Sequence, residues 1–154
     1  MYNDINMILE NKILIIGLIA WLCSQLIKFT IFIIINKRLD WDRLLGDGGM
    51  PSSHSATVTS VALTCGFTMG WDSPVFALAM ILAIIVMHDA SGVRLETGKQ
   101  AKVINDMMEI MHTITAKDLD PREQLKEFVG HTRVQVFAGF CLGLVIAVIA
   151  NLCY

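Results

Sequence analysis

The chain has 154 residues, within the range of one domain, and its composition identifies the solvent: 55% of residues are apolar, 17% are charged and the mean hydropathy is +0.59, against about 25% charged in ordinary soluble domains. Twelve Lys and Arg against fourteen Asp and Glu leave a net charge of −2, which excludes a basic nucleic-acid binder and a charged disordered chain. The cysteines Cys23, Cys65, Cys141 and Cys153 fall in or at the end of apolar stretches with no two-residue spacing; this excludes a disulfide-stapled module and predicts buried, reduced, structural thiols.

The first apolar stretch, Ile13 to Ile35, is interrupted only by Ser24, Gln25, Lys28 and Thr30 and is long enough to cross the roughly 30 Å of hydrocarbon as a helix. Asp4 and Glu10 against Lys12, with no small-x-small cleavage site, mark it as a retained span and not a signal peptide. The second stretch, residues 55–70, is short and rich in Ser and Thr, so it suits a membrane only if its hydroxyls face other helices. Trp71-Asp72-Ser73-Pro74 predicts a tight turn, with Trp71 at the interface and Pro74 opening the next helix. That third span covers residues 75–94 and becomes polar through His88, Asp89 and Arg94. The fourth covers 134–153.

Between the third and fourth spans, residues 95–133 carry a helical loop. Ala101, Ile104, Met108 and Met111 recur at helical steps opposite Lys99, Lys102, Asp106 and Glu109, the pattern of an amphipathic helix at the interface. A second helix is bracketed by Asp120, Pro121, Glu123 and Gly130, and Thr132 with Gln135 forms a capping box for the last span. Gly66 with Gly70 and Gly139 with Gly143 are four-residue small pairs that let helices approach closely. The segment 37–54 holds three basic residues and the segment 94–133 seven, while the 71–74 turn and the C-terminus hold none. The positive-inside rule therefore puts both long loops in the cytoplasm, with Lys12 the one dissenting charge. The fold class expected is all-α, an integral-membrane, multi-pass bundle of about four spans with amphipathic cytoplasmic helices.

The chemistry collects at the cytoplasmic mouths of the spans. Gly48-Gly49-Met50-Pro51-Ser52-Ser53-His54 leads into one helix, and glycines followed by hydroxyls at a helix start suit either a phosphate-like anion or an ordinary N-cap. His54 and His131 are candidates for proton transfer or nucleophilic attack, or are helix-end histidines with structural roles. Arg94 and Lys28 suit an oxyanion, Lys28 alternatively snorkelling to the interface. Lys37, Arg38 and Arg43 read as topology charges and His112 as a surface residue. His54, His88, Asp89 and His131 include metal-ligand types but no spaced pair, so no metal is expected.

The runs GGMPSSHSA from Gly48, DASGVRLETGKQA from Asp89 with Asn105, and LKEFVGHTRVQVFAGFCLG from Leu125 resemble the divergent branch of the type 2 phosphatidic acid phosphatase family, related to acid phosphatases and vanadium-dependent haloperoxidases. The resemblance implies a phosphate-binding serine at Ser52 and a general-acid histidine at His54, with Ser53 in the place of a glycine. It also implies a nucleophile at His131, with Gln135 where an orienting aspartate stands. Arg94 matches the motif arginine in type but lies further upstream than the usual spacing, the first lysine motif has no match and Lys28 is its nearest substitute, and a full-sized member has six spans.

Together these readings imply a membrane-embedded phosphatase acting on a lipid or amphiphilic phosphate ester through a phosphohistidine, with a site facing the cytoplasm and no cofactor. His131, His54 and Gln135 would form the catalytic set, and Ser52, Ser53, Arg94, Lys28, Lys99 and Asp89 would bind the substrate. Membrane lipids are the expected surroundings, and a homo-oligomer is left open. The alternative is a non-catalytic membrane protein that binds or moves a lipid phosphate, because an amide at position 135 cannot stabilise an imidazolium as a carboxylate does.

Overall fold

A computed structural model describes residues 2–37, 49–115, 125 and 130–153, with side chains over 6–37, 49–111, 125 and 130–153. Among the described residues all regular secondary structure is helical: α1 (Tyr2–Leu9), α2 (Lys12–Asn36), α3 (Ser53–Met69), α4 (Pro74–Ser91), α5 (Val93–Thr115) and α6 (Arg133–Cys153). The helix expected from Asp120, Pro121 and Glu123, the side chain of His112, and Gly48, Arg38 and Arg43 lie outside the described residues.

Local chemistry explains where the helices begin. Asn11 caps α2, its Oδ1 accepting from the Leu14 N–H at 3.1 Å, and Lys37 ends it in the left-handed conformation. Ser73 caps α4 by accepting from the Phe76 N–H at 3.2 Å, with Pro74 in the first turn. The predicted capping box on α6 is present: Thr132 Oγ1 accepts from the Gln135 N–H at 3.3 Å and Gln135 Oε1 from the Thr132 N–H at 3.0 Å.

α2, the run from Pro74 and α6 are long and apolar enough to cross a membrane. α3 is the shorter fourth member of the bundle, and it is the one the others surround, packing against α2, α4 and α6. Its 17 residues span about 26 Å. Four of its hydroxyls are satisfied by its own backbone, Thr57 donating to Ser53 O, Ser60 to Thr57 O, Thr64 to Ser60 O and Thr68 to Thr64 O, all at 2.7 to 2.9 Å. A helix too polar to face lipid is therefore tolerated as the buried axis of three apolar ones.

The packing is that of a membrane protein, with small residues inside and large ones outside. Ala20, Ala56, Ala62, Ala83, Ala90 and Ala147 are buried, while Leu78, Ile81, Ile34 and Phe137 are exposed. Such an outer surface is stable against hydrocarbon and not against water. Gly139 and Gly143 of α6 work as the sequence pattern predicts: a methyl group at either would strike the backbone oxygen of Ser52 or of Ala56 on α3. Gly66 serves otherwise. Its missing side chain makes room for the indole of Trp71, 2.5 Å from where a Cβ would stand, in an edge-to-face cluster of Phe67, Trp71 and Phe76 at the far end of the bundle.

Two expectations need correction. All four cysteines are free thiols, but Cys141 and Cys153 are exposed on the outer face of α6 and only Cys65 is buried. On α5 the buried positions are Gly98 and Ala101, with Asn105 and Met108 half-buried along the same line, whereas Ile104 and Met111 are exposed. The polar Asn105 belongs to the inner face because it ties down another segment, so counting apolar residues alone puts the stripe one position off.

Candidate functional site

The alternation of helix directions brings four chain-distant segments to one end of the bundle: the last third of α2, the start of α3, the α4–α5 junction and the start of α6. They are joined by backbone hydrogen bonds. The Ser52 N–H donates to Gln135 O at 3.0 Å, and the His131 N–H donates to Ala90 O at 2.9 Å. Gly130 has φ +90°, and a Cβ there would run into the backbone of Arg94 and Leu95. Glycine is thus required where the chain turns against the α4–α5 junction to present the next residue, His131.

His131 is 2% exposed. His54, half-buried on the first turn of α3, presents its ring edge-to-face, with centroids 5.7 Å apart and planes at 61°. Beside them is a lysine inside a span: Lys28 is 8% exposed, and its Nζ donates to Ser53 Oγ at 3.4 Å. The stem of Lys28 is closed over by the backbone at Gly49, where a Cβ would lie 3.3 Å from Cδ. Lys28 therefore points at the start of α3 and does not snorkel to the surface. A buried cation, two hydroxyls and the N-terminal ends of α3 and α6 all favour negative charge at this place.

The remaining residues expected at the site are arranged less directly. Ser52 is fully buried and caps α3, its Oγ accepting from the Ser55 N–H at 3.4 Å, so Ser53 is the hydroxyl that meets the lysine. Arg94 pairs with Asp89, Nε to Oδ2 at 2.8 Å, across the α4–α5 junction, both side chains being nearly half exposed. Lys99 pairs with Glu96 at 2.7 Å on the exposed side of α5, in a surface groove shared with Gln100, Val103 and Ile104; no other expected site residue lines that groove. Gln135 Oε1 is directed to Thr132 N–H, so the amide caps a helix and its role beside the His131 ring is not a contact formed in this conformation. Among the described residues no cluster of three or more metal-ligating side chains occurs.

Two residues noted in the sequence were given no role there. Asn105 makes a double hydrogen bond to the backbone of Leu125, its Nδ2 donating to Leu125 O at 2.9 Å and its Oδ1 accepting from Leu125 N–H at 3.1 Å. That clamp fixes Leu125, six residues before His131, onto α5. Gln25, one turn before Lys28, is 6% exposed, and its Oε1 is buried with no hydrogen-bond partner among the described residues. Only its polarity inside an apolar run is visible in sequence.

The fold and this cluster define an α-helical integral-membrane protein with a polar site built at the mouth of its bundle. Residues 9–146 match the family described as divergent PAP2, and the chain belongs to that family. It is similar to YuiD of Bacillus subtilis (strain 168), described as an uncharacterized membrane protein, with 37% identity over 150 residues that cover 92% of this chain and 95% of the relative. No solved structure matches.

Proposed function

We propose that this chain is a membrane phosphatase for a lipid or other amphiphilic phosphate ester, and that its site faces the cytoplasm. The observation that carries the reading is the meeting of His131 and His54 beside the buried Lys28–Ser53 pair at the N-terminus of α3. Lys28, Ser53 and the N-H groups of the α3 start hold the phosphate, with Ser52 supporting the turn and Arg94, oriented by Asp89, at the rim; Lys99 assists from α5 only if its pair with Glu96 opens. His131 attacks phosphorus, the ester oxygen leaves with a proton from His54, and water then hydrolyses the phosphohistidine. Charge building on the phosphoryl oxygens is met by Lys28 and the helix ends. The cytoplasmic orientation rests on the ten-to-one distribution of Lys and Arg between the two ends.

A non-catalytic protein that binds or moves a lipid phosphate is the second reading, favoured by Gln135, an amide engaged in capping where the resembling enzymes carry a carboxylate. Purified protein in detergent, given a panel of lipid phosphates, separates the two. Phosphate release that disappears in His131→Ala supports the phosphatase; vanadate binding without release from any ester supports the binder.

A further inference from the structure

We infer that the site is selective for a single-chain phosphate amphiphile carrying a hydrogen-bonding group, a hydroxyl or an amide, next to its phosphate ester, read by Gln25. The inference rests on the anion site proposed above. Gln25 Oε1 is a buried acceptor inside a membrane span with no partner among the described residues, and native proteins rarely leave such an atom unpaired. A rotation about its last bond lets the carboxamide present oxygen or NH2 at the same place, so the missing partner is a group able to donate or accept, a hydroxyl or an amide.

Its position in the fold says what that occupant is. Gln25 precedes Lys28 by three residues, about 4.5 Å along the helix, so a phosphate held by Lys28 and Ser53 places the carbons beyond its ester oxygen at the level of Gln25. Gln25 also continues the stripe of Leu14 and Leu18 at steps of four and seven residues, and those two leucines line an open groove of about 340 Å³ with Gly17, Thr57, Val61 and Cys65. Thr57 lies one turn below Ser53, and from Thr57 to Cys65 the groove follows α3 for about 12 Å. Between Lys28 and Gly17 the drop is about 16 Å, close to the roughly 15 Å depth of one leaflet, half of the hydrocarbon core. Phosphate site, orphan acceptor and apolar groove thus follow one another in the order of headgroup, backbone hydroxyl and hydrocarbon chain.

The test uses the purified full chain in detergent micelles, inorganic vanadate and two non-hydrolysable probes: a single-chain glycerol phosphonate with its free hydroxyl, and the same molecule with hydrogen in that place. The hydroxyl probe is expected to bind about tenfold more tightly, the worth of one buried hydrogen bond, and Gln25→Leu reduces that ratio to about one. Leu18→Trp, which fills the groove, weakens a long-chain probe more than a short-chain one, whereas Ala150→Trp on the α6 side changes neither. Equal affinities of the two probes for the wild type overturn this inference while vanadate binding keeps the anion site standing. If neither vanadate nor either probe binds, both readings fall together. Should Gln25→Leu fail to fold, the pair of probes on the wild type still decides.

Discussion

A lysine buried in a span is costly unless something holds its charge, and Lys28 is aimed at the start of α3 by the backbone closing over its stem at Gly49. Its replacement by Met keeps the apolar stem and removes the cation. Because hydrogen bonds to charged groups are worth about 1.5 to 3 kcal/mol, Lys28→Met should weaken vanadate binding by at least tenfold while the protein still purifies as a folded species, read by equilibrium titration; unchanged affinity removes Lys28 from the site. His131→Ala should lose vanadate binding as well, since it removes the imidazole proposed to contact the phosphoryl group. At this scale the sequence was informative where a residue is chemically out of place. Lys28, His54 and His131 stand out against apolar surroundings, and the bundle brings them together. Gln25 and Asn105 do not stand out. A lone Gln reads as an interruption of a span, and Asn105 acquires its meaning only from Leu125, twenty residues away, which no periodicity reports.

Among the elements, the α3–α6 contact decides the geometry of the site, because Gly139 lies against Ser52 and Gly143 one turn further along against Ala56 and Thr59. Adding a methyl group at either forces the helices apart, and overpacking of this kind costs about 1 to 3 kcal/mol. Gly139→Ala and Gly143→Ala should lower the thermal midpoint similarly, yet only Gly139→Ala should also weaken vanadate binding by severalfold, since it displaces Ser52; equal effects on binding would mean that the contact carries stability alone. The α6 cap separates its two roles in the same way. Gln135→Ala removes half of the capping box and should cost about 1 kcal/mol, whereas Gln135→Glu keeps the box and suits the positive helix end, which thermal denaturation of the two variants checks. The apolar helices α2, α3, α4 and α6 were legible in hydropathy and punctuation, whereas α1 was not expected and the extent of α5 was not marked. Nor was the status of α3 legible. Its length and hydroxyls mark it as a poor span, and only the packing shows that three apolar helices pack around it and that four of its hydroxyls bond backward along its own turns.

For the whole molecule, the two ends are chemically distinct. One end has the aromatic cluster of Trp71, and the start of α2 and the end of α6 line an apolar cavity of about 550 Å³; the other has His54 and His131, and in sequence the segments 37–54 and 94–133 that join the helices there carry ten of the twelve Lys and Arg. Helix direction makes these ends opposite, and the charge asymmetry is the ground for the proposal that the histidine end faces the cytoplasm. Single cysteines test this directly, provided that the four native thiols are first replaced, because Cys141 and Cys153 are exposed and would report on themselves. In such a background, cysteine in place of Asp47 or Asp118 should be protected from an impermeant thiol reagent in intact cells and become reactive after permeabilisation. Cysteine in place of Asp72, in the turn between α3 and α4, should react in intact cells. The reverse pattern would put the histidine site outside. Labelling of position 47 but not 118 would mean that α3 enters and leaves on one side, a result at odds with a bundle in which the Ser52 N–H and Gln135 O meet at the same end.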